Sequence, residues 1–123
     1  AYQRDGKLQA ALKAFSRVAQ VSPDCWTARL AIAKIHLALG QHREALAVFE
    51  SGQLPVDIDG VIEEHGRCLV AYMMVAWRDL FDRQLVSELA AKFAQLHPKN
   101  PSPAWLKLQG DVAAVLNALR LSA

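Results

Sequence analysis

Four histidines, two cysteines and a pair of adjacent glutamates are the side chains of this 123-residue chain best suited to hold a metal or move a proton. His36, His42, His65 and His97 include no pair four residues apart, none stands beside a cysteine, and no His-Glu-x-x-His occurs. A tetrahedral zinc site therefore lacks its ligand spacing. Cys25 and Cys68 are isolated, and each reads as a buried thiol acting as a small apolar group; two such thiols favour a reducing compartment and hence the cytoplasm. Glu63 and Glu64 are neighbours, so on a helix they diverge and cannot share a proton. They read as part of a solvated helix face. With no Gly-rich phosphate loop and no nucleophile elbow, the expectation is a non-enzyme with no metal and no cofactor.

Composition narrows the partners. A formal net charge of +2, with acids and bases mixed along the chain, sets up no field that would recruit nucleic acid or an anionic membrane. The apolar run from Cys68 to Trp77 is half the roughly 20 residues needed to span a bilayer, so no membrane span is expected. Of the residues, 53% are hydrophobic, many of them alanine, with few aromatics; this favours close-packed helices over sheets. The chain starts without methionine and without a basic and hydrophobic leader. It is read as part of a longer protein.

One period organises the first half. Gly6, Ala11, Leu12 and Phe15 recur as Gly40, Ala45, Leu46 and Phe49, each displaced by 34 residues. A Gly at a helix end can take the left-handed conformation that closes it. A small Ala five residues later allows close approach of two helices, and Phe fills the space a turn further on. Pro23 follows as a helix stop, with Asp24 placed to cap the next helix. This series resembles the tetratricopeptide repeat family, clearly over residues 2 to 54 and in degenerate form beyond. The resemblance implies an all-α, right-handed α-solenoid of stacked antiparallel helix pairs, here about six or seven helices in a single domain.

Helical periodicity divides the chain accordingly. Residues 1–23 end a first repeat, with Leu8, Ala11, Leu12, Phe15, Val18 and Ala19 in one apolar stripe of an outer helix. Residues 24–54 form a second repeat: an inner helix from Trp26 to Leu39 that is apolar on most of its circumference, then an outer helix from Gln41 to Ser51. An irregular, longer third repeat covers 57–98. Its inner helix is expected at about Val61 to Leu80, capped by Asp57 or Asp59, and its outer helix from Gln84 to Leu96. The family pattern is broken there, because Phe81 stands at the turn glycine and Met74 at a small-residue position. Residues 102–121, opening with Ser102 as cap and Pro103 at the first helical position, form a terminal helix that covers the end of the stack.

In the family, inner helices line a concave surface. That implies a peptide-binding groove at Thr27, Leu30, Lys34 and Leu37, then Ala71, Val75 and Arg78, then Leu106 and Gly110, apolar with Lys34 and Arg78 as basic points. Some relatives clamp a terminal carboxylate with Lys, Asn and Arg, but Lys34 has no asparagine partner on the facing helices, so that specificity is not carried over. The function implied is a scaffold or adaptor binding a protein or peptide segment. Two alternatives stand beside it: a regulatory or targeting segment of a larger enzyme or secretion component, and a homodimerisation module built on the Cys68–Trp77 run. His36, where the family often has Tyr, is expected as a packed inner-helix side chain.

Overall fold

The computed structural model describes residues 2–121 apart from Pro23, Gln53 and Val56, and side chains from Gly6 onward. The chain is all-helical: α1 (Tyr2–Val21), α2 (Trp26–Ala38), α3 (His42–Glu50), α4 (Asp59–Val75) continuing into a π-helical turn (Ala76–Leu80), α5 (Arg83–Ala94) and α6 (Pro103–Leu121). Short connections force consecutive helices to pack against each other. The helices gather into two compact units, residues 1–56 and 57–123.

In the first unit α2 packs on both α1 and α3, which is why it can be apolar nearly all round. Ala28, Ala33 and Ile35 are buried on α2, Ala45 and Leu46 on α3, and Ala19 on α1. Alanine at Ala33 and Ala45, both with no exposed surface, lets the backbones approach, as the repeat spacing requires. Gly40 closes α2 with φ +78°, and Gln41 N–H donates to the His36 carbonyl across the turn. A left-handed backbone costs a non-glycine residue about 1–2 kcal/mol. Gly40→Ala should therefore destabilise the first unit by roughly that amount, read as a lower urea midpoint at unchanged helical signal.

Several local expectations need correction here. Gly6 closes no turn: it lies within α1, which runs unbroken from Tyr2, so its recurrence at Gly40 is not matched in backbone role. Pro23 lies outside the described residues. Asp24 does not cap α2, because Cys25 occupies the N-cap position and makes no side-chain capping bond to the backbone. The α1 stripe is only partly covered, with Ala19 buried but Phe15 37% and Val18 44% exposed.

The second unit is built around α4. Along the apolar run, Cys68, Leu69, Val70, Met73 and Ala76 are buried, facing α5 and α6. From α5 come Val86, Leu89, Ala90 and Phe93, and from α6 Trp105, Val112 and Val115. Trp105, 2% exposed, is the largest fully buried side chain. It stacks on Phe93, with ring centroids 4.8 Å apart and planes 14° from parallel, an arrangement worth about 0.5–1.5 kcal/mol beyond its burial. Its seat is Gly66: a Cβ there would fall on Trp105 Cζ3 and come within 3.0 Å of Cη2, and within 3.1 Å of Phe93 Cε2.

Polar contacts hold α6 to the start of α4. Ser102 caps α6 as expected, its Oγ accepting the Trp105 N–H at 3.2 Å, while the same hydroxyl donates to Glu63 Oε2 at 2.9 Å. Glu63 is thus a structural tie and not merely part of a solvated face. Neither Asp57 nor Asp59 is the cap of α4. Ile58 holds that position, and the Asp59 carboxylate instead receives the N–H groups of Lys99 and Asn100, both at 2.8 Å. That fixes the loop carrying residues 97–102. Asp82 caps α5 by accepting the Leu85 N–H at 3.0 Å.

The turn between the π-helical segment and α5 departs from the family pattern. Phe81, standing where the family has glycine, takes the left-handed conformation with φ +51°, and Asp82 N–H closes back on the Ala76 carbonyl at 3.0 Å. The backbone keeps the glycine geometry without the glycine. Phe81 ends up 79% exposed and Leu80 56% exposed.

Candidate functional site

The groove positions expected on α2 fall on one strip. Thr27, Lys34 and Ala38 are its exposed residues, and Leu30, Ala31 and Leu37 flank it half-buried. They recur at three and four residues, which places them on one face of the helix. Ala28, Ala33 and Ile35 are the buried residues of α2, while Trp26, Arg29, Ile32 and His36 are half-buried beside the strip. The strip offers an apolar floor with one ammonium group, Lys34, and one hydroxyl, Thr27.

On α4 the same pattern repeats. Ala71 and Val75 are half-buried and Arg78 exposed, on the side opposite the core residues Leu69, Met73 and Ala76. Met74 and Arg67 share that side by spacing. Arg67 lies 3.4 Å from Glu63 Oε1 and from Glu64 Oε1, contacts within one exposed helix face that contribute only a few tenths of a kcal/mol. Leu106 and Gly110 are exposed on α6, and a side chain at Gly110 would meet nothing within 4 Å. The second unit therefore brings Ala71, Val75 and Arg78 together on the open side of α4 and leaves Leu106 and Gly110 accessible on α6.

The residues weighed for chemistry are not gathered. Among the described residues no group of three His, Cys, Asp or Glu side chains could hold a metal ion. His36 is half-buried at the end of α2, its Nδ1 2.7 Å from Gln41 Oε1, a packed and hydrogen-bonded inner-helix residue. Cys68 is buried, as expected, but Cys25 is not. It is half-exposed, its Sγ 3.4 Å from Thr27 Oγ1. Contact with the Thr27 hydroxyl, and then with the Ala28 N–H at the start of α2, lowers its pKa below the ordinary thiol value. Cys25 thus stands at the N-cap position expected for Asp24, without a side-chain capping bond. A furrow along Gln9, Lys13, Ser16 and Arg17 is lined by α1 alone and encloses nothing. No described helix is long and apolar enough to cross a membrane.

Two features important to the site's framework are missed when the sequence is read for stripes. Gly66 sits inside the apolar run of α4, and an isolated glycine in a helical pattern is itself a signal of close packing. The Asp59 clasp joins residues 40 positions apart and has no local signature.

A central helix packed on two neighbours and closed by a left-handed glycine has the arrangement of a helical repeat. Residues 2–55 match the family model described as tetratricopeptide repeat, so the N-terminal unit is a tetratricopeptide-repeat segment. No curated protein and no solved structure matches the chain.

Proposed function

We propose that the chain is a protein-interaction scaffold whose inner helices receive a peptide or protein segment along their open strips. The observation that carries this reading is the α2 strip. On a helix packed by two neighbours, the exposed Thr27 and Lys34 share a row with the half-buried Leu30, Ala31 and Leu37, apolar with a single cation. Such a surface suits a segment with apolar anchors and a carboxylate, held by burial and by a charge-assisted contact. On α4, Ala71, Val75 and Arg78 repeat the combination. The Cys68–Trp77 run needs no dimer interface to explain it, since half of it forms the core of the second unit.

Reversing both cations tests the reading. Lys34→Glu with Arg78→Glu should weaken capture of the physiological partner by at least about tenfold, the equivalent of 1.4 kcal/mol, while the helical circular dichroism and melting temperature stay those of the wild type. Both residues are exposed, so folding is not at stake. Undiminished capture by the folded double variant would remove the two strips as the binding surface.

A further inference from the structure

Repetition within the chain shows what one face of α1 lacks. Residues 34 apart correspond, so Ala11, Leu12 and Phe15 of α1 answer to Ala45, Leu46 and Phe49 of α3. On α3, which α2 packs along, Ala45 and Leu46 are buried and Phe49 is half-buried. On α1 the same residue types are less covered: Ala11 and Leu12 are half-buried and Phe15 is 37% exposed. The difference continues at neighbouring positions, where Lys7 and Ala14 are exposed and their counterparts Gln41 and Val48 are half-buried. α2 packs against one side of α1, where Ala19 is buried. The other side, with Val18 44% and Val21 84% exposed, is open.

The open side has the spacing of a helix-packing seam. Lys7, Ala11, Ala14, Val18 and Val21 follow one another at four, three, four and three residues, an alternation that lays one narrow row along a helix and suits a second helix lying on it. Alanine at Ala11 and Ala14 permits close approach, and Phe15, Val18 and Val21 supply apolar surface. The counterpart positions also indicate the polar contact. Gln41, in the place of Lys7, has its Oε1 2.7 Å from His36 Nδ1 of α2. A helix seated on α1 as α2 is on α3 would bring its residue at the His36 place to the Lys7 ammonium. Between Gly6 and Ser22 the chain carries Lys7, Lys13 and Arg17 and no acid, so a carboxylate is the group this face selects. Two copies meeting through it would bring these cations together in duplicate with no acid between them, a like-charge juxtaposition that disfavours self-association.

We infer that this face docks an α-helix of a partner protein, with small and apolar residues along one stripe and a Glu or Asp opposite Lys7. The contact is separate from the strips on α2 and α4, and its test does not depend on them.

A synthetic helix tests this: residues 24–40 of this chain, the α2 sequence, made with His36→Glu and, for comparison, with His36→Lys. The fluorescence anisotropy of each labelled peptide is followed as the full chain is added. The His36→Glu peptide should bind at least about threefold more tightly than the His36→Lys peptide, the scale of an exposed ion pair. Lys7→Glu in the full chain should reverse that order, a gain of binding by the second peptide that misfolding cannot produce. Val18→Asp should weaken binding of the His36→Glu peptide by at least about tenfold with the helical circular dichroism unchanged. No binding of the His36→Glu peptide, an unchanged order of the two peptides with Lys7→Glu, or undiminished binding by Val18→Asp would each overturn the inference. So would a wild-type dimer in light scattering that Val18→Asp dissociates, which would assign the face to a second copy.

Discussion

Valine in place of Gly66 should destabilise the second unit by about 3 kcal/mol or more. The new side chain would occupy the volume of the Trp105 six-membered ring, and its Cβ would also press on Phe93 at 3.1 Å. Neither ring can yield cheaply. Trp105 is 2% exposed and stacked on Phe93, and its backbone is held by the Ser102 cap, which is itself tied to Glu63. Overpacking by a methylene or two costs about 1–3 kcal/mol, and expelling the indole adds part of its burial. At about 4–8 °C per kcal/mol for a unit of this size, the melting temperature of the second unit within the full chain should fall by more than about 10 °C. A variant that melts with the wild type would show that Trp105 is not seated on Gly66.

Trp105→Ala should cost about 3–5 kcal/mol, the range for removing a large buried aromatic. The two sites are coupled, and the coupling has a predicted sign. In the wild type, Gly66→Ala should destabilise, since the clash outweighs the roughly 1 kcal/mol that alanine gains over glycine in a helix. In the Trp105→Ala background the larger clash is gone, and the same Gly66→Ala should stabilise. A double-mutant cycle by urea denaturation reads this directly. Additive effects would contradict the packing described.

Much of this architecture is legible before the structure is known, and the reasons are local. Gly40 is readable as a turn because a left-handed helix end selects glycine. Ser102 with Pro103 is readable as a helix start because both residues act within one turn. The strips of α2 and α4 follow from three-and-four spacing. The failures are also physical. Gly6 shares the repeat spacing but not the backbone conformation, since in α1 the chain before it is already helical. Asp24 loses the cap to Cys25 by one residue, a shift that propensity alone does not resolve. Phe81 breaks the motif in sequence, yet the backbone preserves the turn and the side chain is exposed.

Non-local contacts account for the rest. Asp59 looks like a helix cap from sequence because an acid ahead of an apolar run usually is one; its carboxylate instead serves Lys99 and Asn100, far along the chain. Glu63 likewise appears solvated until Ser102 is placed beside it. The groove positions on α2 and on α4 each share one helix side, because three-and-four spacing decides which residues lie on a common face.

The measurement that bears most directly on the interaction reading is site-specific photo-crosslinking in the intact protein with its partner. A photoreactive residue at Leu30 or Ala71, on the inner strips, should capture the partner, and one at Arg43 or Glu88, exposed on the outer helices α3 and α5, should not. Capture from the outer positions with none from Leu30 or Ala71 would contradict the account and place the binding surface on the outer helices.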